Sequence, residues 1–217
     1  MKKSIIYLFL FVSISNSFAQ KTPFVKTQKK YLYDVINATD TSNAYKEVVL
    51  YNDNLDKTIW ASPEKNCLTM TKEKEQAFSG SYGLRFTWDK ISGGCKWLGM
   101  GIGWNDFQPK DINDIVDNSA IQFYVKAVKG SYSNLPLAFG IEDYSGAQSY
   151  IGFDPKLASG KFNDTTWVKV TLPFKSFPFK QNDADLGKVK QFIIQFDADG
   201  DIYLDEIKIV EYSNAQN

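Results

Sequence analysis

Residues 187–212, GKVKQFIIQFDADGDIYLDEIKIVEY, decide the fold. Phe192, Ile194 and Phe196 alternate with Gln191, Ile193 and Gln195, so an apolar face opposes a mostly polar one, as in a half-buried strand. The run Asp197-Ala198-Asp199-Gly200-Asp201 predicts a turn in which Gly200 can take positive φ. The chain then returns through 202–210, the second arm of a closing hairpin. Apolar positions are even at Ile202 and Leu204 but odd at Ile207 and Ile209. This slip of parity at Asp205–Glu206 predicts either a bulge or a carboxylate turned toward the core. A buried carboxylate must be paired, protonated or bound to a cation.

Outward from that stretch the same period recurs. Leu84 and Phe86 alternate with Arg85 and Thr87. Ile121, Phe123 and Val125 alternate with Gln122, Tyr124 and Lys126. Leu137, Phe139 and Ile141 alternate with Gly140 and Glu142, and Val168, Val170 and Leu172 form another apolar face. A strand is also expected over 47–51, another over 67–71 and another over 148–153, with loops at 72–76, 105–118 and 174–185. The chain has 16 Phe, 12 Tyr and 5 Trp, many in such alternating contexts, which favours strands. No long helix, internal repeat or low-complexity tract is evident. Short strands separated by turn signals predict an all-β fold, a single jelly-roll β-sandwich.

The segment 95–104, CKWLGMGIGW, is unusual. Leu98, Met100, Ile102 and Trp104 share one face; the other is Trp97 followed by Gly99, Gly101 and Gly103. A strand face without side chains lets another surface approach the backbone. That suits tight packing, or a shallow trough beside an aromatic platform.

At the N-terminus, Lys2 and Lys3 precede the apolar run 5–12, and Ser17-Phe18-Ala19 ends just before Gln20. This is a secretory signal pattern over 1–19, cleaved after Ala19; the run is too short to span a bilayer. It leaves an extended lead-in over 20–44, one domain over 45–212 and a tail over 213–217. Cys67 and Cys95 are the two cysteines, expected to pair in an exported chain, with two buried thiols as the alternative. Basic and acidic residues balance at 25 each, which argues against a nucleic-acid partner or a polybasic membrane surface. There is no histidine, so Ser-His-Asp catalysis, histidine zinc sites and histidine pH switches are absent.

Taken in order, Asp53, Trp60, Ser79-Gly80-Ser81-Tyr82-Gly83-Leu84-Arg85-Phe86, Trp97-Leu98-Gly99, the run 167–174 with Phe177, and the run 202–209 resemble the galactose-binding-like β-sandwiches. Within these, the chain from about residue 48 to 210 is most similar to family 11 carbohydrate-binding modules. The resemblance implies a concave sheet that holds a linear β-glucan, and a structural calcium away from the sugar. It puts Asp205 where such modules place a calcium carboxylate, with Asp53 as partner. It puts Trp97 at the start of a concave strand and Lys180 at a basic position. Lys190 and Gln191 stand where the family shows an acid, and Phe196 where it shows a tyrosine.

An exposed aromatic ring stacks on the apolar face of a pyranose while short polar groups satisfy its hydroxyls. The outward candidates are Arg85, Trp97, Tyr124, Glu142, Tyr144, Tyr150 and Gln195, with Lys180 added by the resemblance. The expectation is an exported, non-catalytic, monomeric protein that binds a polysaccharide or oligosaccharide. An adhesive protein that docks on another protein is the rival. A glycoside hydrolase is a third reading. It needs two carboxylates roughly 5–10 Å apart across a cleft, and Glu142 and Asp143, as neighbours in a strand, face opposite ways.

Overall fold

The computed structural model describes residues 49–51, 53, 59–62, 67–103 and 107–212. The expected signal segment, the lead-in, the C-terminal tail and Trp104 lie outside the described residues. The strands are β1 (Val49–Tyr51), β2 (Ile59–Ala61), β3 (Leu68–Lys74), β4 (Tyr82–Asp89), β5 (Gly99–Gly103), β6 (Ser119–Ala127) and β7 (Ser131–Tyr132). They continue with β8 (Leu137–Asp143), β9 (Gln148–Gly152), β10 (Phe162–Asn163), β11 (Val168–Pro173), β12 (Val189–Phe196) and β13 (Asp199–Glu211). Among the described residues there is no α-helix; short 3-10 turns interrupt the loop after β11. The predicted loop at 72–76 is mostly strand, because β3 runs to Lys74 along the full length of β4.

One sheet has the order β2-β5-β12-β8-β9, the other β11-β6-β13-β4-β3 with β1 beside β13. The predicted closing hairpin is therefore a corner. β12 lies at the centre of the five-stranded sheet and β13 inside the six-stranded one, so the two arms face each other across the core instead of pairing. Alternation alone does not distinguish the two arrangements, since each arm buries one face either way. The inward rings decide the packing. Phe196 of β12 lies 5.3 Å from Phe86 and 4.9 Å from Trp88, both on β4, and Phe139 of β8 lies 5.5 Å from Phe123 of β6. These rings join the two sheets, and a buried Phe contributes about 1.5–3 kcal/mol.

The sharp change of direction falls on Ala198, with φ 51°, not on Gly200. Gly200 is in β13, where a Cβ would collide with the Trp88 indole. Glycine there answers a close approach and not a turn.

The parity slip is a β-bulge. The register of β13 on β6 shifts between Asp205 and Lys208, and Glu206 has φ 52°. The bulge falls where β4 ends its pairing with β13 and β1 takes over on the same side. Asp205 is fully buried at that junction. Cys67 and Cys95 form a disulfide with Cα atoms 6.4 Å apart, within the usual range. It ties the start of β3 to the loop that leads into β5.

Candidate functional site

The outer face of the five-stranded sheet is built on the glycines of β5. A Cβ at Gly99 would strike the ring of Trp97; at Gly101, the ring of Trp60; at Gly103, the ring of Phe107. Three aromatic rings thus lie along the strand in the space that side chains would fill. Trp60 is delivered by β2, whose pairing sets it opposite Gly101. Phe107 is delivered by the loop after β5, from a residue with φ 61°. The Trp60 and Trp97 rings are 6.1 Å apart, with their planes inclined by 27°. Trp97 is 36 % exposed and Trp60 half-buried. The inner face of β5, Met100 and Ile102, is fully buried and fixes the strand.

β12 supplies the polar line beside the rings. Gln195 pairs opposite Gly99, and its Oε1 accepts from Trp97 Nε1 at 3.2 Å. Gln191 pairs opposite Gly103, and its Oε1 accepts from Trp60 Nε1 at 2.7 Å. Between them Ile193 is opposite both Gly101 and Gly140. The Tyr150 ring covers Gly140 as the Trp60 ring covers Gly101. An isoleucine on an outer face is therefore only 1 % exposed.

Glu142 of β8 completes the face. A register shift between Val189 and Gln191 brings two consecutive residues of β12 to it. Lys190 Nζ donates to Oε1 at 2.7 Å, Gln191 Nε2 to Oε2 at 3.0 Å, and Gln148 Nε2 to Oε2 at 2.8 Å. Glu142 is 9 % and Gln191 4 % exposed. Burial pushes the Glu142 carboxyl up, but the hydrogen bonds from Lys190, Gln148 and Gln191 and the lysine charge outweigh it and hold it below its ordinary value. Burial and the Glu142 charge push the Tyr150 phenol up to about 12, so it stays a neutral hydroxyl. The chain of contacts Trp60–Gln191–Glu142 fixes one indole through two buried polar groups.

The residues expected from the sequence divide between the faces. Trp97, Glu142, Tyr150 and Gln195 lie on the glycine-lined face. Tyr144 is in the turn that follows β8, where its N–H bonds Lys188. Lys180 is in the exposed turn 180–182, which Asn182 ties to Gln148 at the edge of β9. Arg85 and Tyr124 lie on the six-stranded sheet. Arg85 forms a two-point ion pair with Asp201 at 2.9 and 2.7 Å, and Phe78 stacks on Tyr124. Trp60, Phe107, Lys190, Gln148 and Gln191 join the face without having been expected there. The bare glycines of β5 implied a covering group; nothing in the sequence said that it comes from 60 and 107.

The resemblance to family 11 modules also implied calcium at Asp53 and Asp205. The Asp205 oxygens accept from the N–H groups of Phe78 at 2.7 Å, Ser79 at 3.1 Å and Glu206 at 2.7 Å. The Asp53 oxygens accept from Ser81 N–H at 2.9 Å and Tyr82 N–H at 2.8 Å. N–H groups directed at both oxygens of each acid oppose a cation, which needs those lone pairs for itself. This donor set does not fit calcium. It clamps the 78–82 turn to the strand junction. Burial raises the Asp205 carboxyl, and the N–H groups of Ser79, Phe78 and Glu206 pull it back in part.

The chain matches the family model for carbohydrate binding domain 30 over residues 47–211. Among solved structures it is similar to the family 30 carbohydrate-binding module of a cellulosomal cellulase of Clostridium thermocellum, at 16 % identity and a TM-score of 0.62, covering 77 % of this chain and 98 % of that one. It is also similar to a family 11 module from Clostridium thermocellum, at 13 % identity and a TM-score of 0.52, over 76 % of this chain and 95 % of that one. No curated protein matches. These modules share the galactose-binding-like β-sandwich, bind polysaccharide without catalysing its breakdown, and are typically extracellular or on the cell surface. No helix among the described residues is long and apolar enough to cross a membrane. The chain belongs to the carbohydrate binding domain 30 family, a non-catalytic polysaccharide-binding β-sandwich.

Proposed function

We propose that the protein is exported and binds an extended β-glucan along β5, on the face formed by Trp97, Trp60 and Phe107. The observation that carries this is the row of aromatic rings over a strand face that has no side chains of its own. Alternate residues of a strand repeat every 6.6–6.8 Å or so, so a row set over Gly99, Gly101 and Gly103 is straight and about 13 Å long. A straight row suits a glucan whose successive rings stay extended; a coiled α-glucan would leave it after one contact. The partly exposed amide of Gln195 offers a hydroxyl partner beside it, while the buried Gln191 and Glu142 hold the Trp60 indole in place. The related family 11 structure holds a β-1,3-1,4-mixed-linked tetrasaccharide, which favours the same ligand class.

Isothermal titration against soluble β-1,3-1,4-glucan, with an α-glucan as control, tests the ligand. Saturable heat with the first and none with the second is expected; equal or absent heats would reject it. Export is tested separately: the protein recovered outside the cytoplasm is expected to begin at Gln20.

A further inference from the structure

A second cleft lies away from the aromatic row. It has a volume of about 520 Å³ and is lined by Ser131, Tyr132, Ser133, Pro155, Gly160, Lys161, Phe162 and Asn163. The β7–β10 ribbon forms one wall and the segment 155–160 the other. It shares no residue with the face that carries Trp97.

The walls are pinned by hydrogen bonds of residues in and beside the cleft. Tyr132 Oη accepts from Asp201 N–H at 2.8 Å. Asp164 accepts from Gly130 N–H at 2.7 Å, and Asp154 from Lys156 N–H at 2.9 Å. Asn163 Oδ1 holds the turn at Thr165 and Thr166. On the other wall, Ser159 N–H bonds Lys169 O at 2.9 Å beside the bridge from Ala158 to Val170. By contrast, the Ser131 and Ser133 hydroxyls and the Lys161 ammonium have no partner among the described residues. A Cβ at Gly160 would meet only Val168, at 4.0 Å, so the entrance is open.

A cleft with unspent hydroxyls and one ammonium, no acidic lining group, and apolar surface at Pro155 and Tyr132 has the size and chemistry of a small-ligand site. The structure assigns it an acidic saccharide unit, a pyranose that carries a carboxylate. The ring's apolar face meets Pro155 and Tyr132, the serines take its hydroxyls, and Lys161 takes the carboxylate. On the aromatic face, by contrast, the carboxylate of Glu142 is already paired with Lys190. The protein then has two independent contacts with a polysaccharide matrix, one for a neutral chain and one for an acidic unit, and their combination raises avidity.

The test is a two-dimensional NMR titration of the mature chain with D-glucuronate and, separately, D-glucose. Glucuronate is expected to give saturable shifts at the amides of 131–133 and 160–163. Glucose is expected to bind there roughly two- to fivefold more weakly, the effect of one exposed ion pair. Lys161→Ala should reduce glucuronate to the level of glucose, while Trp97→Ala leaves these shifts unchanged. No saturable shift with either sugar would overturn the assignment. So would equal binding of both sugars, or a response that Trp97→Ala abolishes. None of these outcomes depends on whether the aromatic face binds β-glucan.

Discussion

On the outer face of the five-stranded sheet, Trp60 and Trp97 rest on glycines, and their indole N–H groups are held by Gln191 and Gln195. On the outer face of the six-stranded sheet, Tyr124 lies under Phe78, Lys126 sits over the rings of Trp167 and Tyr203, and Arg85 is paired with Asp201. Both faces carry aromatic and charged side chains pointing away from the core. On the second they are spent on one another. On the first the backbone gives way, so rings lie flat with one side toward solvent. Outward direction is a weaker sign of binding than an outward ring with a bare strand beneath it.

The largest expected effect bears on how the Trp97 edge is held. Cys67 and Cys95, 28 residues apart, tie the loop before Trp97 to β3. By the chain-entropy model, replacing both with serine should cost about 3–4 kcal/mol of stability, seen as a lower urea midpoint. Binding to β-glucan should also weaken in the serine variant while it is still folded. Unchanged affinity would show that the Trp97 platform does not depend on the tether.

Next comes the aromatic row itself. Trp60→Ala should lower β-glucan affinity by about 30-fold, near 2 kcal/mol, as for a central interface anchor. Arg85→Ala should change it less than twofold. If the two variants lose affinity equally, the contrast between the faces fails.

A smaller effect is expected at Gln191, which accepts from the Trp60 indole N–H. Gln191→Leu keeps the volume but leaves Trp60 Nε1 and Glu142 short of a partner. Affinity should fall by about fivefold, equivalent to about 1 kcal/mol, with a modest drop in stability. The pH response has a definite sign. Glu142 is held below its ordinary 4.5, so the network persists through neutral and mildly acidic pH. Its contribution is lost as pH falls through the lowered folded value. Binding should be flat from neutral pH down to 4.5 and decline only below it; a fall centred near pH 6 would contradict the assignment. The smallest effect is that of a chelator. Because N–H groups occupy the Asp53 and Asp205 oxygens, EDTA should leave Tm unchanged.

The strands and the sandwich were legible because alternation is local: Phe192, Ile194 and Phe196 show their inner face without reference to any neighbour. The bulge at Asp205–Glu206 was legible for the same reason. Pairing was not. Nothing in 187–212 tells a hairpin from a corner, since that depends on whether β12 finds β13 or finds β5 and β8. The site was half legible. Trp97 and the glycines of β5 stand together in sequence, but Trp60 comes from a strand of three residues, and Phe107 from a loop in a left-handed conformation that few sequence signals announce. Arg85 and Tyr124 have the right phase on the other sheet, and phase carries no label for which sheet a strand joins.

The measurement that tests the central claim most directly is titration calorimetry with β-1,3-1,4-glucan on two double variants. One is Trp60→Ala with Trp97→Ala, which strips the glycine-lined face; the other is Arg85→Ala with Tyr124→Ala, which strips the opposite sheet. The account predicts that the first abolishes detectable heat while the second binds as the parent does. Retained binding in the first, or loss confined to the second, would contradict it.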